Sequence, residues 1–242
     1  EIILDNLDSF SDQNRKSFKS FGLNLLKNSA YQNYPPAYND LGYNYLHGTH
    51  VKENEKKALE CFKKSSELGN DHGHFMTGLS YYYGWGSNID YNQSLYFFDR
   101  IKSQYRINRV NYYKATSYHR LGNYHEAFLK YEKVINNEKN SKDLNETEKD
   151  QLKFSYYNMA KLLKHGVGVE LNKNKSHELF LKAYEHGLKK ASFFIGENHE
   201  TGFGTPKSLK KATYWYTIAS INDEDEEIKI NAQNKLEIKL KT

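Results

Sequence analysis

Three short glycine turns are the residues of this chain whose type and spacing could bind a charged ligand. At Gly84, Gly166 and Gly202 a second glycine follows two residues later. Such a loop ahead of a helix can hold a phosphate, because glycine lets backbone N–H groups approach an anion. The same residues could instead form a tight turn that carries no ligand. The number of copies decides between these two interpretations.

The turn belongs to a repeat, which favours the second interpretation. Gly202 follows Gly166 by 36 residues, and Gly84 follows Gly48 by the same interval. A nucleotide-binding loop occurs once, follows a strand, and carries a Lys-Ser/Thr or a longer glycine pattern, which this sequence lacks. A turn that recurs at this period is part of a scaffold. We therefore predict that Gly166 and Gly202 end helices in the left-handed conformation.

Other residues with potential chemistry lack a convergent arrangement. His72 and His74 could suggest a metal site, but the sequence has no HExxH and no paired Cys/His spacing. We predict that they are a surface pair at a junction between units. Cys61 is the one cysteine, which excludes an internal disulfide framework, and it is predicted to be buried and inert. With no pocket motif for catalysis, we predict a non-enzymatic protein that uses no metal and no cofactor.

Composition excludes several classes of protein. Lys and Arg are interleaved with acidic residues at a net charge of +5, whereas a nucleic-acid binder concentrates its basic charge on one stripe. No apolar run approaches the roughly twenty residues that span a membrane. We therefore predict neither a nucleic-acid partner nor membrane insertion. Because the first residue is Glu1, we expect an excised region of a longer protein. The single cysteine favours the cytoplasm as the compartment, and the secretory pathway stays open.

Helix pairs must position the glycine turns. In YNDLGYNYLHG and SYYNMAKLLKHG the apolar residues fall three and four apart, as one face of a helix requires. Small residues recur on each first helix and, 16 residues later, on each second helix. The matching positions are Gly42, Gly78, Ala160 and Gly196, followed by Ala58, Ser94, Ser176 and Ala212. We predict that the paired helices approach closely there, beside the rings of Phe62, Phe98, Phe180 and Tyr216.

The repeat resembles a known family. The unit AYNDLGYNYLHGTHVKENEKKALECFKKSSELGN is similar to the Sel1-like repeat (SLR), a variant of the tetratricopeptide repeat (TPR). The stretch NRVNYYKATSYHRLGNYHEAFLKYEKVI resembles an ordinary TPR, with its small residues Ala115 and Ala127 only 12 apart. The resemblance implies an all-α fold, a right-handed α-solenoid of helix-turn-helix SLR/TPR-like repeats. It also implies an adaptor whose partners are proteins or peptides.

The repeat period divides the chain, which we predict to be a single α-solenoid domain over 1–242. Its predicted parts are a degenerate repeat end at 1–34, SLR units at 37–72 and 73–108, a TPR-like unit at 109–141, SLR units at 155–190 and 191–226, and a C-terminal cap helix at 227–242. The stretch 142–152 is polar and lacks apolar periodicity. It is predicted to be a loop insertion, with a helix extension as the alternative.

The first helices of such an array line its concave side, where partners usually bind. Transferring the TPR register to each unit places aromatic and basic side chains in the middle of this face, and acidic ones near its C-terminal end. The predicted partner-binding residues are Asn39, Tyr43, Tyr82, Tyr112, His119, Arg120, Tyr157, Lys161, Lys164, Phe193 and Glu197. In the competing interpretation, the tyrosines pack in the core and the basic residues only solvate the surface.

Two functions follow from the resemblance. The first is a non-enzymatic scaffold that binds a partner protein segment in its groove. The alternative is a regulatory subunit of a membrane-bound enzyme complex, of the chitin synthase activator or the ubiquitin-ligase type. Chaperone-binding relatives clamp a terminal carboxylate with paired Lys and Asn, and this sequence lacks the full set, although Lys161 and Arg120 come nearest. The sequence leaves the identity of the partner and the oligomeric state open.

Overall fold

A computed structural model describes residues 12–104, 106–138, 144–221 and 225–240 of the chain. These residues form two compact units, one up to residue 104 and the other from residue 106 onward. All the regular secondary structure of the described residues is α-helix. Residues 1–11 of the predicted degenerate end lie outside the described residues.

The first unit is built from two helix pairs and one unpaired helix. Its helices, within the described residues, are α1 (Asp12–Tyr31), α2 (Pro35–His47), α3 (Glu55–Glu67), α4 (Asp71–Tyr83) and α5 (Tyr91–Phe98). The helix α1 is the predicted second-type helix of the degenerate end, whereas α2 pairs with α3 and α4 with α5. Side chains of Asn54, Asn70 and Asp90 each accept a hydrogen bond from a backbone N–H three residues later. These caps explain why α3, α4 and α5 begin where they do.

The second unit continues with three helix pairs and a final helix. Its helices, again within the described residues, are α6 (Ile107–Arg120), α7 (Tyr124–Glu138), α8 (Glu146–His165), α9 (Lys173–Glu185), α10 (Ala191–Thr201), α11 (Leu209–Ser220) and α12 (Glu226–Leu240). The TPR-like pair α6–α7 has the short connection that its sequence indicates. The last helix, α12, packs on α11 at the position predicted for a cap.

The stretch 142–152, predicted to be a loop insertion with a helix extension as the alternative, is helical from Glu146 onward. Asn145 begins α8 with a capping box, in which its side chain accepts from the Glu148 N–H while the Glu148 carboxylate accepts from the Asn145 N–H. Gln151 and Leu152 are buried, so α8 packs into the core before the repeat begins. A well-capped, exposed first turn needs no apolar periodicity, and the polar sequence therefore predicted a loop. Residues 139–143 of this region lie outside the described residues.

The paired helices approach each other at the predicted small residues. A Cβ atom on Gly42 would lie 2.5 Å from the Phe62 ring, and one on Gly78 would lie 2.6 Å from the Phe98 ring. In α8–α9, the Ser176 hydroxyl donates to the backbone carbonyl of the first helix at 2.8 Å. The large rings beside these positions are fully buried. The predicted spacing of small and large residues is therefore confirmed.

The recurring glycine turns end the first helices, as predicted. Gly166 has φ of 63° and Gly202 has φ of 77°, and the N–H of each donates to a carbonyl four residues earlier. Gly48 and Gly84 end α2 and α4 in the same left-handed conformation. This is the usual role of glycine after the last turn of a helix.

The second glycine of each turn makes a close contact between repeats. A Cβ atom on Gly204 would lie only 2.0 Å from the carbonyl oxygen of Lys173, at the start of α9. A Cβ atom on Gly86 would lie 2.4 Å from the backbone of the first turn of α3. A Cβ atom on Gly168 would lie 2.6 Å from the backbone of the first turn of α7. Each turn therefore packs its backbone on the second helix of the preceding pair. The left-handed helix end accounts for the first glycine of the motif, and this contact accounts for the second, without a bound phosphate.

Candidate partner-binding surface

Three of the predicted binding residues lie in the first unit, where each contacts another helix or loop. Asn39 is buried, and its side-chain amide donates to Asn70 Oδ1 at 3.1 Å. The Tyr43 hydroxyl donates to the Met76 sulfur at 3.0 Å. The half-buried Tyr82 ring packs edge-on against its aromatic neighbours. Asn39 therefore supports the cap of α4, which corrects its assignment as a binding residue.

Two predicted binding residues of the second unit lie in its hydrophobic core. Tyr157 is 7% exposed and packs edge-on against Phe180, with ring centres 5.9 Å apart. Phe193 is also 7% exposed and packs against Tyr216 at 5.6 Å. Burial, followed by nearby carboxylates, raises the pKa of Tyr157 far above its usual value. These rings fill the seams between helices, which corrects their assignment as partner-binding residues.

Charged pairs join successive first helices toward the C-terminal end of the second unit. Lys164 Nζ on α8 lies 2.9 Å from Glu197 Oε2 on α10. Lys235 Nζ on α12 lies 2.9 Å from Glu200 Oε2 on α10, and this oxygen also accepts from the Tyr216 hydroxyl at 2.7 Å. The predicted binding residues Lys164 and Glu197 therefore neutralise each other.

The cations between α6 and α8 lack such partners. Arg120 is exposed at the end of α6, and Lys161 is half-buried on α8. Neither makes an ion pair with any residue in the described part of the chain. Both are close enough to the half-buried His119 to lower its pKa, after the larger effect of burial. We call His119, Arg120 and Lys161 the basic cluster.

Aromatic rings contact two members of the basic cluster, Lys161 and His119. The Lys161 ammonium lies 5.6 Å from the centre of the Tyr157 ring, and His119 packs edge-on against Tyr124 at 5.3 Å. The predicted residue Tyr112 is half-buried on α6, next to the core. His119 Nδ1 is buried without a hydrogen-bond partner in the described structure. The basic cluster thus offers two exposed or partly exposed cations above a largely apolar base.

A buried histidine pair in the second unit was not predicted from the sequence. The rings of His177 and His199 are 5.2 Å apart, and Asn198 Nδ2 lies 3.3 Å from His177 Nδ1. Burial lowers the pKa of His177 to about 4, with smaller effects from His199 and Lys211. Scattered histidines carry no sequence pattern, and only the packing of α9 against α10 brings these two together.

Acid should destabilise the protein through His177. Because the unfolded side chain has a pKa near 6.5 and the folded one a pKa of about 4, the unfolded state binds the proton more readily. The stability contributed by the neutral ring is complete above about pH 6.5 and is lost as the pH falls toward 4. Between about pH 7 and pH 5, we expect the free energy of unfolding to fall by about 1–2 kcal/mol more in the wild type than in His177→Gln.

Urea unfolding at the two pH values, followed by circular dichroism, measures this difference. An equal pH dependence in the wild type and in His177→Gln would contradict the assignment of a buried, neutral His177.

The other residues with potential chemistry have structural surroundings. The predicted surface pair is wrong for His74, which is buried and lies 2.6 Å from the Ser66 hydroxyl through its Nδ1. His72 is half-buried and stacks on Tyr43. Cys61 is half-buried rather than buried, and burial raises its pKa to about 11, so the thiol stays protonated and unreactive. Within the described ranges, no group of three His, Cys, Asp or Glu side chains could hold a metal ion.

Comparisons with known proteins identify the repeat. The sequence matches the Sel1 repeat at residues 35–70, 72–104, 154–188 and 189–223. The chain belongs to the Sel1 repeat family. These four Sel1 repeats correspond to the pairs α2–α3, α4–α5, α8–α9 and α10–α11, and the TPR-like pair α6–α7 separates them into two groups of two. None of the curated proteins compared with the chain matches it.

A solved structure shares the fold of this chain. A Sel1 repeat protein from Oxalobacter formigenes is 19% identical with a TM-score of 0.62, and the match covers 88% of this chain but 58% of that protein. A protective antigen of uropathogenic Escherichia coli strains, which displays an SLR fold, is 20% identical with a TM-score of 0.36, over 88% of this chain and 60% of that one. The first likeness confirms the all-α repeat solenoid. Among the described helices, none is both long and apolar enough to cross a membrane.

Proposed function

We propose that this chain is a non-enzymatic scaffold that binds an extended segment of a partner protein at the basic cluster. Sel1 repeats support a role in protein interaction in general. The observation that carries the finer proposal is the contrast between two parts of one unit. Lys164 on α8 and Lys235 on α12 each form an ion pair with a glutamate on α10. Arg120 and Lys161, by contrast, have no acidic partner in the described structure.

The chemistry of the basic cluster selects acidic and apolar side chains. A guanidinium can hold a carboxylate through two parallel hydrogen bonds, and Arg and Tyr often dominate the energy of interfaces. The rings of Tyr112 and Tyr124 lie on the helices that carry or support the cluster, and both are half-buried. A segment that alternates acidic and apolar residues would contact cations and rings together. A regulatory subunit of a membrane-bound enzyme could use the same surface, but no described residue favours that role.

Selection from a random library of linear peptides tests the proposal. We expect peptides retained by the immobilised protein to be enriched in Asp and Glu next to apolar residues, because the cluster is cationic with an apolar base. The enrichment should weaken when the selection is repeated at high salt, since exposed charges are screened.

The matched control is the same selection on the variant Lys207→Glu/Lys210→Glu, which changes two exposed lysines elsewhere in the second unit. This variant should retain the same class of peptides. Selected peptides without acidic enrichment, or with basic enrichment, would overturn the proposed surface.

A further inference from the structure

We propose that a cavity in the first unit binds a free amino acid with an aromatic side chain. The cavity has a volume of about 470 Å³, within the range of about 300–1,000 Å³ that is usual for small-molecule sites. Its lining comes from the end of α3, the first turns of α4 and the end of α5. The basic cluster belongs to the second unit, so the two sites can be tested independently.

The cavity lies beyond the end of the short helix α5. This helix has eight residues, whereas the second helices α3 and α9 each have thirteen. Beyond α5, the N–H groups of Lys102 and Ser103 donate to the Asp71 carboxylate at 3.1 and 2.9 Å. These bonds tether the segment 99–103 to the start of α4, and the cavity lies between this segment and the end of α3. An early helix end and a tethered segment therefore account for the cavity.

A buried histidine contributes to the cavity lining. His74 is 6% exposed, yet it lines the cavity together with Ser66. The His74 Nδ1 lies 2.6 Å from the Ser66 hydroxyl, which fixes the role of that nitrogen. The Nε2 makes no hydrogen bond to any described residue. Because a buried polar group normally has a hydrogen-bond partner, a ligand in the cavity would supply the one that Nε2 lacks.

Two cations of the cavity lining can bind a carboxylate. Arg100 and Lys102 both line the cavity. The Arg100 guanidinium lies 4.7 Å from the centre of the Tyr96 ring and donates to the Tyr96 hydroxyl, so Tyr96 orients it. An oriented guanidinium can hold a carboxylate through two parallel hydrogen bonds. These cations differ from exposed lysines elsewhere because both line one cavity with the buried His74.

Two acidic residues of the same lining favour a ligand that carries both signs of charge. Glu67 and Asp99 line the cavity. The Glu67 carboxylate lies 2.7 Å from Lys64 Nζ, but these side chains are 61% and 60% exposed, and exposed ion pairs are weak. A ligand ammonium can therefore approach Glu67. A carboxylate alone would meet two acidic residues and an amine alone would meet two cations, whereas a zwitterion matches both.

Aromatic rings form the apolar part of the lining. Tyr96 and Phe97 both line the cavity, and their rings pack edge-on with centres 5.2 Å apart. Phe97 also stacks on Tyr81 at 5.7 Å, which holds its ring in place. An aromatic side chain can pack edge-on or offset-stacked on such rings. The cations, the acidic residues and the rings thus match the carboxylate, the ammonium and the side chain of an aromatic amino acid.

Isothermal titration calorimetry with L-phenylalanine tests this site. We expect saturable binding of L-phenylalanine to the wild type. 3-Phenylpropionate, which lacks the ammonium, and phenethylamine, which lacks the carboxylate, should each bind at least about tenfold more weakly, because each loses a charge-assisted contact. Glycine should also bind at least about tenfold more weakly, since it has no ring to pack on the aromatic lining.

Three variants locate the binding in the cavity. Arg100→Gln/Lys102→Gln should raise the dissociation constant for L-phenylalanine at least about tenfold. Glu67→Gln should raise it about threefold but leave that of 3-phenylpropionate unchanged, because only the amino acid carries an ammonium. Lys52→Gln/Lys56→Gln should leave both constants unchanged. All five substituted side chains are exposed, so each variant should keep the helical circular dichroism spectrum.

No saturable binding of L-phenylalanine, or unchanged binding in the folded Arg100→Gln/Lys102→Gln variant, would overturn the proposed site. Equal affinity for L-phenylalanine and 3-phenylpropionate would reject a zwitterionic ligand. Equal affinity for N-acetyl-L-phenylalanine would assign the cavity to the C-terminal residue of a peptide and would equally reject a free amino acid. None of these measurements uses the basic cluster, so failure here leaves the scaffold function untouched.

Discussion

Replacing Gly204 with alanine should lower the free energy of unfolding by about 3 kcal/mol. Gly204 has φ of 67°, and forcing an alanine into this left-handed conformation costs about 1–2 kcal/mol. The added Cβ would also lie 2.0 Å from the Lys173 carbonyl oxygen. That atom belongs to the backbone of α9, so no side-chain rotation can relieve the contact. Moving the turn away from α9 adds a packing cost of about 1–3 kcal/mol.

Gly187 provides the matched control for this prediction. It has φ of 93°, and a Cβ atom there would meet nothing within 4 Å. Gly187→Ala should therefore carry only the conformational cost of about 1–2 kcal/mol. The free energies of unfolding of the two variants are measured by urea unfolding at neutral pH. Their difference gives the energetic cost of disturbing the contact between repeats. If the two variants lost equal stability, the packing role of the second glycine would be refuted.

The repeat was predictable because its constraints are local and periodic. Gly42 faces Phe62 for the same steric reason that Gly78 faces Phe98, so one interval in the sequence predicts every copy. The left-handed glycines after the first helices follow from the same logic. What the sequence did not indicate was the reason for the second glycine. That contact lies with the preceding helix pair, about a repeat away along the chain, and only the packed structure shows it.

The exposure of the proposed binding residues was harder to predict, because the repeat register alone does not determine burial. Arg120 is exposed and Lys161 is half-buried, whereas Tyr157, four residues before Lys161, is buried in the core. A tyrosine is compatible with both locations, since its ring packs well and its hydroxyl tolerates water. The pairing of Lys164 with Glu197 was equally hidden, because the two residues lie on different repeats.

Buried polar groups escaped prediction for a similar reason. His74 was assigned to the surface, yet Ser66 offers it a hydrogen-bond partner at the end of the preceding helix. His177 and His199 meet only when α9 and α10 pack together. A buried polar group is tolerated when its partner is present. Tertiary packing determines which hydrogen-bond partner a buried side chain meets. A single sequence indicates that packing only at the positions that recur with the repeat period.

Reversing the charge of the basic cluster should abolish most of the binding of a library-derived acidic peptide. Arg120→Glu/Lys161→Glu replaces two attractive contacts with two repulsive ones. Charge-assisted hydrogen bonds contribute about 1.5–3 kcal/mol each, so the dissociation constant should rise about a hundredfold or more. Neither side chain makes an ion pair in the described structure, and the variant should therefore keep its helical circular dichroism spectrum.

The dissociation constant of that peptide, measured by fluorescence anisotropy for three proteins, tests the central claim most directly. The account predicts equal affinity for the wild type and for Lys207→Glu/Lys210→Glu, and at least about a hundredfold weaker binding to Arg120→Glu/Lys161→Glu. Full-strength binding to the folded Arg120→Glu/Lys161→Glu variant would contradict the claim that partners bind at the basic cluster.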